Sequence, residues 1–233
     1  MKSIAAGRFG FAKSWFTKYK PDILWLTPGL VTTLLIYLFQ LSTMSRPFSV
    51  GGLYWEMAHQ VSVHGYLLPK TIPYYSEYSI PFAYPPLTFY ILAGIRDLTG
   101  LAEHTISFYL PGILTMVYLV PSYFITYKLT GDRSSAGIAT ILIGGSPSVF
   151  HYHFEGTGTV RGFAFIFALL GIYMGLKMFS TRRLKYVLAA LVCFILTILS
   201  HPVYTVFYVA SFVTLWAVFD KSLKGFRHAT VVG

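Results

Sequence analysis

Apolar runs of membrane-crossing length leave this chain few ways to fold. Five stretches, Ile23–Leu41, Ile106–Tyr127, Gly162–Ser180, Leu184–Ser200 and Val203–Phe219, carry almost no charge. Each is close to the roughly 17–25 residues needed to cross about 30 Å of hydrocarbon. A sixth run, Ser134–Phe150, contains glycine but no charge. The sequence is 55% hydrophobic and 11% charged, with a mean hydropathy of +0.61. A soluble domain of this size cannot bury that much apolar surface, so the expected class is an all-α polytopic membrane protein.

The run Phe82–Ile95 is ambiguous, because it is apolar but has only 14 residues and opens on Tyr84-Pro85-Pro86. Runs of about 10–14 residues are more often interfacial or re-entrant than spanning. Charge decides between the two. With the N-terminus inside and Phe82–Ile95 not crossing, 14 of the 18 Lys and Arg residues fall inside, leaving Arg46, Lys70, Arg96 and Arg161 outside. Counting Phe82–Ile95 as a span would export the basic clusters at 128–133, 177–185 and 221–227, against the positive-inside rule. Six spans are expected, with one long external loop over residues 42–105 and cytoplasmic segments at 1–22 and 220–233. The net charge of +10 follows from this topology and not from nucleic-acid binding, since basic residues cluster at span ends and form no stripe.

The same topology places Glu56, Glu77, Asp97, Glu103 and Glu155 outside, together with six of the seven histidines: His59, His64, His104, His151, His153 and His201. Topology signals do not require acids and histidines to gather on one face. Such a gathering points to a metal, a phosphate or a sugar handled there. No span carries a charge at its middle, which argues against an ion-coupled transporter.

Two external stretches hold the candidates. In Gly51–Gly65, apolar Leu53, Met57 and Val61 recur at helical spacing, so Glu56 and His59 share a face. That helix would lie on the membrane, with Tyr54 and Trp55 at the interface; a solvated polar face gives the same spacing. In His151–Arg161, an extended chain would put His151, His153 and Glu155 on one side, a donor set suited to a divalent ion. With His59, these are the candidate metal ligands, for Mg or Mn. Arg161, at the start of the next span, is placed to hold a phosphate. His201-Pro202 forms a tight turn before the last span, and a phosphate or sugar contact there competes with plain turn chemistry. Cys193, in an apolar run, reads as a small core residue.

The order of parts resembles a known class. A basic N-terminus and one span lead to an external loop bearing Trp55-Glu56-Met57-Ala58 and Tyr84-Pro85-Pro86-Leu87. A span ending Lys128-Leu129-Thr130-Gly131-Asp132-Arg133 follows, then one ending Gly144-Gly145-Ser146-Pro147, then a second acidic loop. This resembles the GT-C class of membrane glycosyltransferases, which includes protein O-mannosyltransferases, aminoarabinose transferases and oligosaccharyltransferase catalytic subunits. The resemblance covers about Ile23 to Phe219. It implies transfer of a sugar from a polyprenyl-phosphate carrier to an acceptor on the external face of a plasma (inner) membrane. It also implies a catalytic acid in the first loop and a second acid that helps hold metal or donor. Here those roles fall to Glu56 and Glu155, with Arg161, His201 and Tyr84 toward the donor phosphate. The chain departs from the class at Val50-Gly51-Gly52, where the first acid usually stands. It also stops where class members continue through further spans, and so reads as the N-terminal portion of a longer protein. A non-catalytic lipid-binding or assembly protein of the same design, and a transporter or permease, are the alternative readings.

Overall fold

The computed structural model describes residues 2–43, 51–73, 79–146, 153 and 158–220. Within them the chain is all-α, with one minimal hairpin. The helices are α1 (Lys2–Thr43), α2 (Gly51–Val63), α3 (Leu87–Thr99), α4 (Glu103–Thr130), α5 (Arg133–Gly145), α6 (Gly158–Thr181), α7 (Leu184–Ile198) and α8 (Pro202–Phe219). Strands β1 (Thr71–Ile72) and β2 (Ile80–Pro81) pair antiparallel between α2 and α3.

Four helical segments are long and apolar enough to cross a membrane: Tyr19–Thr43 within α1, α4, α6 and α8, of 25, 28, 24 and 18 residues. Their outward residues are large and apolar, such as Leu35, Phe39, Val117, Val206 and Val218. The chain is thus built for a membrane. The other two runs expected to span form shorter helices. The 13 residues of α5 and the 15 of α7 rise only about 20 and 22 Å, less than the hydrocarbon thickness. Proline sets one end of each. Ser146 turns extended ahead of Pro147, and the chain after α7 turns extended at His201 ahead of Pro202, as residues preceding proline do. Residues 147–150 of the expected sixth run lie outside the described residues.

The helices pack as two groups of three, α1–α4–α5 and α6–α7–α8, joined where α4 lies along α6. Lipid tails are as apolar as side chains, so close backbone approach through small residues has to hold such helices together. On α1, Gly29 and Thr33 meet Thr140 and Gly144 of α5, and a Cβ on Gly137 would sit 2.7 Å from the Trp25 carbonyl oxygen. On α6, Gly171 and Gly175 lie one turn apart and receive Tyr208 and Phe212 of α8, whose rings stack at 4.7 Å. The Tyr208 hydroxyl then donates to the Ala190 carbonyl of α7 at 2.7 Å, tying in the third helix.

Polar staples fix the ends remote from α2 and α3. Gly131 closes α4 in the left-handed region (φ 73°), and Asp132 caps α5 by accepting from the Ser135 N–H at 2.7 Å. Asp22 of α1 accepts from Arg133 at 2.8 Å and from the Tyr123 hydroxyl at 3.2 Å, joining α1, α4 and α5. Arg182 pairs with Asp220 across the ends of α6 and α8.

The α2–hairpin–α3 segment forms its own small core of Trp55, Met57, Ala58, Val61, Ile72, Phe89, Leu92 and Ala93, completed by Ile106 of α4 and Val160 of α6. This corrects one expectation. Trp55 is not an interfacial anchor; it is buried and donates its indole N–H to Ser107 of α4. The run Phe82–Ile95 becomes helical only from Leu87, after the two prolines, and belongs to this core.

Glycine at 171 is required by contact. Alanine there drives a methyl into the Tyr208 ring, whereas at Gly145 the nearest atoms are 3.9 and 4.0 Å away. Gly171→Ala should lower the thermal midpoint in detergent by an amount equivalent to about 1–3 kcal/mol of overpacking, and Gly145→Ala should leave it unchanged. Equal midpoints would refute the packing described.

Candidate functional site

Four of the candidate residues converge where α6 and α8 begin. Arg161 stands half-buried in the first turn of α6. His201 is the N-cap of α8, its Nδ1 accepting from the Val203 N–H at 3.2 Å, with Pro202 starting the helix. Tyr84 reaches this place because the Leu87 N–H bonds the Leu199 carbonyl at 2.8 Å, docking the Tyr-Pro-Pro segment on the turn before α8. Its ring lies edge-on to His201 at 5.9 Å, with Tyr54 and Phe89 behind at 5.6 and 5.7 Å.

His153 completes the group. Its carbonyl abuts Gly158 so closely that any Cβ there would clash. The imidazole is 6% exposed, held against the rings of Tyr118 (5.2 Å) and Phe165 (5.5 Å), with Nε2 at 3.0 Å from the Tyr204 hydroxyl. Its Nδ1 has no hydrogen-bond partner among the described residues.

Arg161 sets the electrostatics of the cluster. Arg161 acts on Tyr84, His153, His201 and Tyr204 alike. Burial, then Arg161 and then His201 push His153 down to about 4; burial and then Arg161 bring His201 to about 4. Both imidazoles are therefore neutral at pH 7. Burial pushes the Tyr84 phenol up, its neighbour Tyr54 adds to this, and Arg161 pulls the other way. One guanidinium, two neutral imidazoles and two phenols thus meet at the positive ends of two helix dipoles, which favours a negatively charged ligand.

The remaining candidates lie elsewhere. Glu56 sits two residues after Tyr54, roughly 200° around α2, and accepts from Gln60 at 2.8 Å. His59 shares that face, as its spacing requires, with Nδ1 3.1 Å from the Arg96 guanidinium, which also pairs with Glu103 at 3.2 Å and with Asp97. Asp97 is held below the usual carboxylate range, first by the Ser62 hydroxyl, with Arg96 and Tyr66 adding to it against some desolvation. His151 and Glu155 lie outside the described residues. Among the described residues no three His, Cys, Asp or Glu side chains group to hold a metal. His153 sits beside a guanidinium and His59 is engaged by another, so the described donors do not fit a divalent cation. Tyr204 and Tyr118 escape sequence reading because both sit inside apolar runs; the one available signal is that Tyr204 lies three residues after His201, on the same face of α8.

Depressed histidines give stability a definite pH dependence. The unfolded chain takes up these protons near 6.5, the folded chain only near 4. Between those values the unfolded state binds more protons, so stability falls as pH drops from about 6.5 to about 4. Thermal midpoints measured across this range should decline with acidity, and His153→Gln should flatten the slope; an identical slope in the variant would refute the assignment.

Comparison with protein-family models finds no match for this chain, and comparison with curated proteins finds none either.

Proposed function

We propose that this chain is a membrane glycosyltransferase of the GT-C type that takes a sugar from a polyprenyl-phosphate donor. The observation that carries the reading is the convergence of Arg161, His201 and Tyr84 at the shared start of α6 and α8. Such a group neutralises and orients a phosphate: Arg161 through charge, His201 and Tyr84 through N–H and O–H donation. In the proposed topology all six helices count as spans, α5 and α7 being short ones, and the N-terminus is cytoplasmic. The basic residues support that orientation, with the Arg161 end external and the Arg182 end, about 36 Å away along α6, cytoplasmic.

In the transfer step the bond from the anomeric carbon to the phosphate oxygen breaks while one to the acceptor oxygen forms. Arg161 stabilises the charge growing on the departing phosphate, and a carboxylate takes the acceptor proton. Glu56 is the first-loop acid assigned to that proton. The divalent-cation part of the reading rests on His151 and Glu155, and no step is routed through it. Sugar and acceptor follow from the class alone. A second reading, a non-catalytic lipid-phosphate-binding relative, is favoured by one observation: Glu56 bonds Gln60 on the face of α2 turned from Tyr54.

Full-length protein in nanodiscs, given polyprenyl-phosphate-linked hexoses, separates the two. Arg161→Ala should weaken donor binding at least about tenfold, the size of one lost charge-assisted bond. Glu56→Gln should bind donor normally yet release no polyprenyl phosphate if the transferase reading holds. Binding without turnover in the wild type would favour the relative, and binding indifferent to Arg161→Ala would remove both.

A further inference from the structure

The α2–α3 segment keeps its tryptophan inside and three leucines outside. Trp55 is buried, whereas Leu67, Leu68 and Leu98 are 73, 54 and 89% exposed. Val63, Tyr66 and Leu101 are exposed as well. These residues form one patch. The Tyr66 hydroxyl donates to Asp97 at 3.0 Å and faces Gly94, and the Tyr66 ring lies 6.4 Å from that of Tyr90. The turn after α2 therefore rests on the Tyr90–Gly94–Asp97 side of α3, and Leu98 follows Gly94 on that side by one helical turn.

The exposure is built into the backbone. Gly65 and Tyr66 both take the left-handed conformation, at φ 63° and 62°, which is unfavourable for tyrosine. Asp97, which accepts from Ser62 at 2.6 Å and pairs with Arg96 at 3.0 Å, holds the Tyr66 hydroxyl in place. Leu67 and Leu68 are thus carried outward on a turn whose geometry is fixed from behind.

The surroundings of the patch point to lipid as its occupant. The N–H groups of His64, Gly65, Tyr66 and Leu67 bond to the carbonyls of Gln60, Ser62, Val61 and His64 at 2.9–3.2 Å. A backbone that enters lipid has to be satisfied in this way, and it offers no donors for a partner's main chain. The patch also continues the apolar outer surface of the bundle. From Leu101, exposed apolar side chains run on into Tyr109, Ile113 and Val117 of α4, the last three at the four-residue spacing of one helix face. Its rim is polar, with His64, Lys70 and Asp97 exposed, as in segments that sink apolar side chains beneath the headgroups. We propose that residues 63–68 and the end of α3 form a membrane anchor: Leu67, Leu68 and Leu98 enter the leaflet beside the start of α4, among phospholipid acyl chains. The helix α3 is then fixed at both ends, by the Leu87–Leu199 bond at its start and by lipid at its close. The anchor stands whether or not the Arg161 cluster binds a phosphate.

The full chain with Cys193→Ala would carry one nitroxide, at Leu67→Cys, Leu98→Cys or, as the lipid reference, Val117→Cys. In phosphatidylcholine nanodiscs, access to oxygen, which enters hydrocarbon, is compared with access to a nickel chelate, which stays in water. The labels at Leu67→Cys and Leu98→Cys should lie about 5–10 Å below the lipid phosphates, with the Val117→Cys label deeper. In wild-type protein with labelled leucine methyls, phosphatidylcholine bearing a nitroxide on its acyl chain should broaden the Leu67, Leu68 and Leu98 resonances, a readout that depends on no variant folding. Strong nickel access at both labelled leucines would leave the patch in water and overturn the proposal. Shielding from both reagents would put protein there, a second copy or another chain, and overturn it too. Leucine resonances untouched by the lipid nitroxide, in a preparation whose Val117→Cys label reads hydrocarbon, would do the same.

Discussion

The approach of α8 to α6 is the contact on which the rest depends. Gly171 and Gly175 remove side chains from one face of α6, and Tyr208 and Phe212 occupy the space. That packing fixes where α8 begins, and so where His201 and Tyr204 stand relative to Arg161 at the start of α6. A few tenths of an ångström added at either glycine would be passed along two stiff helices to the site. The chemistry at one end is thus set by the absence of two methyl groups in the middle of the bundle.

Charge is distributed with the same economy. The described carboxylates are engaged in structural bonds: Asp22 with Arg133, Asp132 at the start of α5, Glu103 and Asp97 with Arg96, Asp220 with Arg182, and Glu56 with Gln60. Arg161 acts on the Tyr84 phenol and on the His153 and His201 imidazoles, and burial keeps these three neutral.

Much of this was legible in the sequence, for reasons that can be named. Apolar runs gave the helices, because a backbone in lipid has no partner other than itself. Tyr84-Pro85-Pro86 gave the start of α3. Counting basic residues placed Arg161, His153, His201 and Tyr84 in the same compartment of the reading, and the structure brings those four together. What stayed hidden was long-range pairing. Trp55 looks like an interfacial anchor until Ser107, 52 residues on, is found to take its N–H. His59 looks like a free ligand until Arg96 arrives from α3. Tyr204 is one more aromatic in an apolar run until its hydroxyl meets His153. The runs Ser134–Phe150 and Leu184–Ser200 give helices of only 13 and 15 residues, because hydropathy does not register that Ser146 and His201 turn extended ahead of prolines.

The bond from Leu87 to Leu199 has a consequence in time. The chain is made from its N-terminus, so the Tyr84 segment exists long before α7 and the turn that follows it. The Leu87 N–H finds its partner only when that turn has formed, and His201 comes to Tyr84 in the same event. Completion of the site therefore waits for the turn before α8, and until that turn forms Arg161 stands in a half-built pocket.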